Sequence, residues 1–257
     1  FRGIIRNPAT ADDYSSMLNR AGFYDDSSYT VISLSILRKS ISITESVVRT
    51  TDMSLWRMLK KSGNHSSLFM KEGNLVAVRQ NCSEEEIVMF CELLRPIAEQ
   101  SADTEIYIGV SESVRGFAEI SQAYEQSYAA MLTGRIKGKE RVFYRDIGLM
   151  KLIFGVKDKM ILSSFAEENL GVLHRYDSEK NTDYCSVLRK YLELNGSVLE
   201  AAAETGVHRN TINYKIRAIR EILGRELDDH TKSMLMLAYL IEDVLDIYDN
   251  LNGGNKQ

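Results

Sequence analysis

The chain has 257 residues, a formal net charge of −4 and 44% hydrophobic residues. That length exceeds one typical domain, and that apolar content supports packed cores instead of a disordered chain. With two prolines, three cysteines and no apolar run longer than residues 234–241, the composition excludes a collagen-like, a disulfide-framed or a helix-spanned membrane protein.

Cys82, Cys91 and Cys185 show no CxxC spacing and read as idle or buried thiols of a reducing cytoplasm, with no metal site expected. His65, His174, His208 and His230 are scattered, and only His208 falls where a function is suggested. The chain opens at Phe1, without a methionine or a charged-then-apolar leader. The expectation is a cytoplasmic piece of a longer protein whose N-terminal part is absent.

In chain order, residues 10–22 predict a short amphipathic helix with Tyr14, Met17 and Leu18 on its apolar face. Residues 29–37, YTVISLSIL, alternate apolar residues with Ser and Thr, as a half-buried strand does. Residues 45–61 read as a helix. Two short apolar stretches, 67–71 and 75–79, flank Glu72-Gly73-Asn74, a hairpin signal. Ser83 followed by Glu86 is a capping pattern for a helix over 83–99, which Pro96 should kink or break near Arg95. A strand at 106–110, a helix at 117–133 ended by Gly134, and a last strand at 141–144 (RVFY) complete this part.

From Tyr29 the order is β-α-β-β-α-β-α-β. Its first six elements are the ferredoxin-like arrangement, with helices on one face of an antiparallel sheet. A GGDEF-like domain is one elaboration of it. An active diguanylate cyclase would need a Gly-Gly-acidic-acidic turn in the central hairpin and a carboxylate on the first strand. Lys71-Glu72-Gly73-Asn74 offers one glycine and one carboxylate, and residues 29–37 offer none. Catalysis is therefore not expected. Nor does the chain contain GxxxxGK[ST], HExxH or GxSxG. Glu84, Glu86, Glu167 and Glu168 read as solvated helix faces.

Connecting helices follow over 146–176, with apolar anchors at Leu149, Leu152, Ile153, Phe165, Leu170 and Leu173. The polar run DSEKNTD, 177–183, marks the expected main boundary. A helix over 184–194 precedes the most informative stretch, residues 196–227. There Ser197 suits an N-cap, a helix runs through Leu199, Ala202 and Ala203, Gly206-Val207 turn the chain, and a second helix opens near His208. On it Ile212, Ile216, Ile219 and Leu223 form one apolar stripe, opposed by Asn210, Asn213, Tyr214 and Arg217 with Arg209 and Arg220 at the flanks. Between Val207 and Glu226 five Lys or Arg residues face two Glu, a local +3 on an acidic chain.

Asn can pair bidentately with adenine and Arg with guanine, both from the first turns of a helix laid in a major groove. Arg209, Asn210, Asn213, Tyr214 and Arg217 are the candidate base readers, and His208, Thr211, Lys215 and Arg220 the candidate phosphate contacts. Two bland alternatives are a solvated surface helix of an ordinary bundle and a basic helix docking an acidic protein. A final helix begins at Asp228-Asp229, with Met234, Leu235, Leu237, Ala238, Ile241 and Val244 to pack beneath the second helix.

Val207-His208-Arg209-Asn210-Thr211-Ile212, Ala202-Ala203, Ile216, Gly224, Leu227 and Leu237-Ala238 resemble the C-terminal part of PucR/CdaR-type bacterial transcriptional regulators. So do Leu170-Gly171, Tyr176-Asp177, Leu188 and Tyr191-Leu192. The preceding βαββαβ region resembles that family's degenerate GGDEF-like domain more loosely. Lys215 stands where the family commonly carries Arg, a point charge in place of a bidentate fork.

The resemblance implies an α+β chain, with a GGDEF-like regulatory domain over 1–147, a helical linker over 148–180 and an all-α helix-turn-helix domain over 181–251. It implies a non-enzymatic regulator that binds double-stranded promoter DNA through a recognition helix at 208–223, without cofactor or membrane. A homodimer is expected, since one short helix makes few base contacts, and an N-terminal domain outside this chain is expected to sense a small effector. The alternative is a nucleotide or cyclic-dinucleotide receptor built on the GGDEF-like domain, without turnover.

Overall fold

The structure, a computed structural model, describes residues 1–38, 41–50, 66–99 and 104–253. It forms two compact units, Phe1–Lys151 and Leu152–Gln257.

The first unit opens with α1 (Arg2–Arg6), a single 3-10 turn and α2 (Ala11–Arg20). Its sheet is centred on β1 (Ser28–Arg38), with order β3-β4-β1-β5-β7. Here β3 is Ser66–Lys71, β4 is Asn74–Gln80, β5 is Thr104–Val110 and β7 is Arg141–Phe143. The short strands β2 (Ile41–Ser42) and β6 (Val114–Arg115) pair β1 off this path. β1 runs antiparallel to β4 from Tyr29↔Gln80 to Leu34↔Leu75, and antiparallel to β5 from Ile32↔Val110 to Arg38↔Thr104. That is the expected ferredoxin-like order. β7 then adds to β5 in parallel.

Two helical layers cover this sheet. Ile32, Leu34 and Ile36 of β1 meet Val47 and Val48 of α3 (Thr44–Thr50) and Ile87, Phe90 and Leu94 of α4 (Glu84–Glu99). Tyr29 and Val31, on the other face, meet α1, α2 and Ile120, Ala123 and Tyr124 of α5 (Ile120–Lys137). β1 is thus buried on both faces, not half-buried as its Ser and Thr suggested. Ser33 is satisfied internally, sharing a hydroxyl hydrogen bond of 2.7 Å with Ser127.

α5 sits close because Gly109 has no side chain. A Cβ there would lie 2.0 Å from the Ser127 carbonyl oxygen and 2.2 Å from the Met131 nitrogen.

Local signals explain most boundaries. In the capping box of α4, the Glu86 N–H donates to Ser83 Oγ at 3.3 Å and the Ser83 N–H to Glu86 Oε2 at 2.8 Å. Pro96 does not end this helix, which continues to Glu99. Ile87, Phe90, Cys91 and Leu94, all buried, anchor the turns before it and offset the lost backbone bond. The hairpin turn is Glu72-Gly73 alone, both at positive φ (50° and 74°), and Lys71 pairs with Asn74. α5 passes through Gly134 and stops at left-handed Gly138. The last part of the helix expected over 45–61 lies outside the described residues.

The described residues of the second unit hold helices and no strand. After α6 (Met150–Gly155), within which the division between the units falls, come α7 (Lys159–Lys180) and α8 (Tyr184–Glu193). Then follow α9 (Val198–Thr205), α10 (Arg209–Leu223) and α11 (Asp229–Gly253). Leu170, Leu173, Leu188, Leu192, Ala201, Leu235 and Ala238 form one core with the isoleucines of α10. Ile153, Leu170 and Leu173 are buried as expected, whereas Leu149 and Leu152 are exposed.

Residues 148–180, expected as a linker, hold α6 and α7, and α7 lends two leucines to the same core as α10. Of the polar run 177–183, residues 177–180 are the last turn of α7 and 181–183 form the tight corner before α8, with Asn181 in the left-handed region.

Candidate nucleic-acid interface

α9 and α10 meet at Gly206, whose φ of +67° only glycine adopts without cost. Ser197 Oγ accepts the Glu200 N–H at 3.3 Å and fixes the start of α9. His208 is the N-cap of α10, its Nδ1 accepting the Asn210 N–H at 3.2 Å. That cap fixes one ring nitrogen as an acceptor and leaves Nε2 as the other polar edge of the imidazole. Left-handed Gly224 ends α10, and Asp228 Oδ1 accepts the Thr231 N–H at 2.8 Å to start α11.

Ile212, Ile216 and Ile219 point into the core of the unit. Each contributes about 2 kcal/mol through burial. The 3.6-residue period then fixes the opposite face. Asn210, Tyr214 and Arg217 follow one another along it, with Tyr214 68% exposed. Arg209, Thr211, Asn213 and Arg220 are also exposed, and His208 stands exposed at the helix start.

The same face carries one carboxylate, Glu221, whose Oε1 accepts from Arg217 Nε at 3.2 Å. Both groups are solvated, so the pair costs little to open. A polyanion meets the least repulsion on the first two turns of α10.

Lys215 differs from the other eight candidates. It is only partly exposed, and its Nζ donates to both carboxylate oxygens of Asp183, at 2.6 and 2.7 Å. Asp183 is the N-cap residue of α8 yet makes no side-chain cap. Asp177 makes it instead: Asp177 Oδ1 accepts the Tyr184 N–H at 2.9 Å, and Oδ2 accepts the Cys185 N–H at 2.8 Å. Asp177 had been singled out in the sequence only within the Tyr176-Asp177 resemblance, with no capping role, and Asp183 had not been singled out. Nor had Arg225, which donates to the Asn169 carbonyl and side-chain oxygens at 3.1 and 3.2 Å.

In the first unit, the hairpin turn places one carboxylate, Glu72, beside the Lys71 ammonium, with which it forms an ion pair. The Tyr124 hydroxyl reaches the same carboxylate at 3.4 Å. Among the described residues, no three of His, Cys, Asp or Glu converge in a way that could hold a metal ion. Among them also, no helix is long and apolar enough to cross a membrane.

Two helices set at a glycine corner, the second exposing amide and guanidinium groups above a three-isoleucine seam, define a helix-turn-helix protein joined to a GGDEF-like α+β unit. Sequence comparison gives the family. Residues 184–241 match the PucR C-terminal helix-turn-helix domain, residues 6–131 match the GGDEF-like domain, and the chain belongs to the PucR-type regulators.

Its relatives include the proline-responsive transcriptional activator PutR of Bacillus subtilis, 24% identical over 66% of this chain and 44% of that protein. The purine catabolism regulatory protein of the same organism is 24% identical over 91% of this chain and 46% of its own length. The chain therefore spans less than half of either relative. A crystal structure of a regulator of polyketide synthase expression from Bifidobacterium adolescentis aligns with 95% of this chain and 91% of its own, at 17% identity and a TM-score of 0.42.

Proposed function

We propose that this chain is a sequence-specific DNA-binding transcriptional regulator, acting in the cytoplasm, with α10 as its recognition helix. Residues 181–251 bind duplex DNA, residues 1–147 form a non-catalytic regulatory domain, and residues 148–180 connect them. Arg209, Asn210, Asn213, Tyr214 and Arg217 read base edges. His208, Thr211 and Arg220 contact phosphates, and Lys215 joins them when Asp183 releases it. Two copies span paired half-sites, because one helix of this length offers few base contacts. In the longer protein an N-terminal domain senses a small molecule. The activities of the two relatives, a proline-responsive activator and a purine catabolism regulator, support transcriptional control as the role.

The observation that carries this reading is the division of α10 into a buried isoleucine seam and an exposed row of Asn210, Tyr214 and Arg217. Amide and guanidinium groups on the first turns of a rigidly seated helix are the groups a major groove can pair. The single carboxylate pair of an active cyclase turn is missing from the 71–74 hairpin, which speaks for regulation without turnover. The test is fluorescence anisotropy of the intact chain on promoter duplexes from its own genome, in excess random-sequence competitor. A site that survives competition, and is lost on Asn210→Ala, is expected. Equal displacement by any duplex would refute specific recognition.

A further inference from the structure

Lys215 is the candidate phosphate contact that the fold has already engaged. Its ammonium sits between both oxygens of Asp183, at 2.6 and 2.7 Å, and its side chain is 20% exposed against 58% for Asp183. The pair joins the recognition helix α10 to the N-cap residue of α8, the last residue of the corner ahead of that helix. Asp183 is available for it because Asp177 has taken over the capping of α8, accepting the N–H groups of Tyr184 and Cys185. A carboxylate at the start of α8 also lies at the favourable end of that helix's dipole. The neighbouring cations on α10 are not held in this way: Arg217 pairs with a well-solvated glutamate of its own helix, and Arg220 approaches Glu226 at 3.5 Å.

Resting on the reading of α10 as a DNA-binding helix, we propose that Asp183 sets the strength of sequence-independent binding by withholding Lys215 from the DNA backbone. Lys215 lies on the flank of α10 next to the core, one turn from Thr211 and close to the phosphates that a groove-bound helix meets. An unpaired lysine there adds one phosphate contact and releases about one counterion on every duplex, whatever its sequence. Paired with Asp183, it contributes no net charge to that surface. Base recognition by Asn210 and Arg217 then makes a larger share of the total affinity, which suppresses capture by the excess of non-cognate DNA.

The test compares the intact chain with Asp183→Asn, Lys215→Ala and the double variant. Each is titrated with a random-sequence duplex and with a duplex selected from random DNA, between about 0.05 and about 0.2 M salt. Asparagine keeps the shape of Asp183 and removes its charge, and circular dichroism checks the fold. Asp183→Asn is expected to steepen the logarithmic salt dependence by about 0.9 and to raise random-duplex affinity by up to about eightfold at 0.1 M salt. Both gains should vanish in the double variant, read against Lys215→Ala as its reference.

An unchanged slope in Asp183→Asn would overturn the inference. So would a gain that persists without Lys215, since that would be a general charge effect, or a loss of affinity, since Asp183 would then only seat the helix. If Asp183→Asn leaves the slope alone while Asn210→Ala still abolishes the selected site, this inference falls and the function stands. If the parent binds no duplex, both fall.

Discussion

The Asp177 carboxylate and the Cys185 backbone N–H lie 2.8 Å apart across the corner between α7 and α8, so a residue of one helix starts the next. Burial by itself would raise the Asp177 carboxyl. The Cys185 N–H, the Thr182 hydroxyl at 2.5 Å and the Tyr184 N–H at 2.9 Å outweigh it and hold that carboxyl below the ordinary aspartate range. A depressed folded value adds stability that is complete above the unfolded value, near about 3.9, and is lost as the pH falls through the folded one.

Asp177→Asn should therefore lower the melting temperature at neutral pH and flatten its decline under acid. The loss at neutral pH should be about 1 kcal/mol, the scale of one N-cap. Melting curves from pH 7 down to the acid range check this. Parallel declines for the two proteins would show that the cap adds no acid sensitivity.

Gly109→Ala should destabilise the first unit by about 3 kcal/mol, because the new methyl meets the backbone of α5 at Ser127 and Met131 and no rotamer change relieves it. Denaturant unfolding reads the change, and a loss below that of an ordinary surface substitution would show that α5 shifts freely off the sheet.

Ile219→Ala removes a side chain with 0% exposure from the seam that seats α10. A cost of about 2–5 kcal/mol is expected, with hydrogen exchange quickening across α9 and α10. Exchange that quickens only at α10 itself would contradict the shared core.

On a bound operator, Asn210→Ala or Arg217→Ala should cost about 1–3 kcal/mol and relax the preference at one base position, while leaving random-duplex affinity nearly unchanged. Gel-shift titrations across single-base operator variants check it. Equal losses on all sequences would reassign these residues to the backbone.

Much of this was legible before any coordinates. Ile212, Ile216 and Ile219 recur at helical spacing, and a periodic seam is a strong signal because burial enforces it. Ser83 with Glu86, Ser197, Gly206 and Asp228 act where their local chemistry placed them. Misreadings came where tertiary contacts overrule local ones. β1 looked half-buried, since nothing in YTVISLSIL announces that a second helical layer will cover Ser33 and Ser35. Gly134 looked like a helix end but lies within α5, where a Cβ would meet the Lys139 carbonyl oxygen at 2.6 Å. Leu149 and Leu152 looked like anchors but face solvent. The Asp183–Lys215 pair joins residues 32 positions apart, beyond the reach of any local pattern.

Selection of sites bound by the intact chain from a random duplex library tests the recognition role of α10 most directly. The expected pool converges on a motif with two related half-sites about one helical turn, or a multiple of it, apart, and Asn210→Ala no longer enriches it. A pool indistinguishable from the starting library, or one that Asn210→Ala enriches equally well, would contradict it.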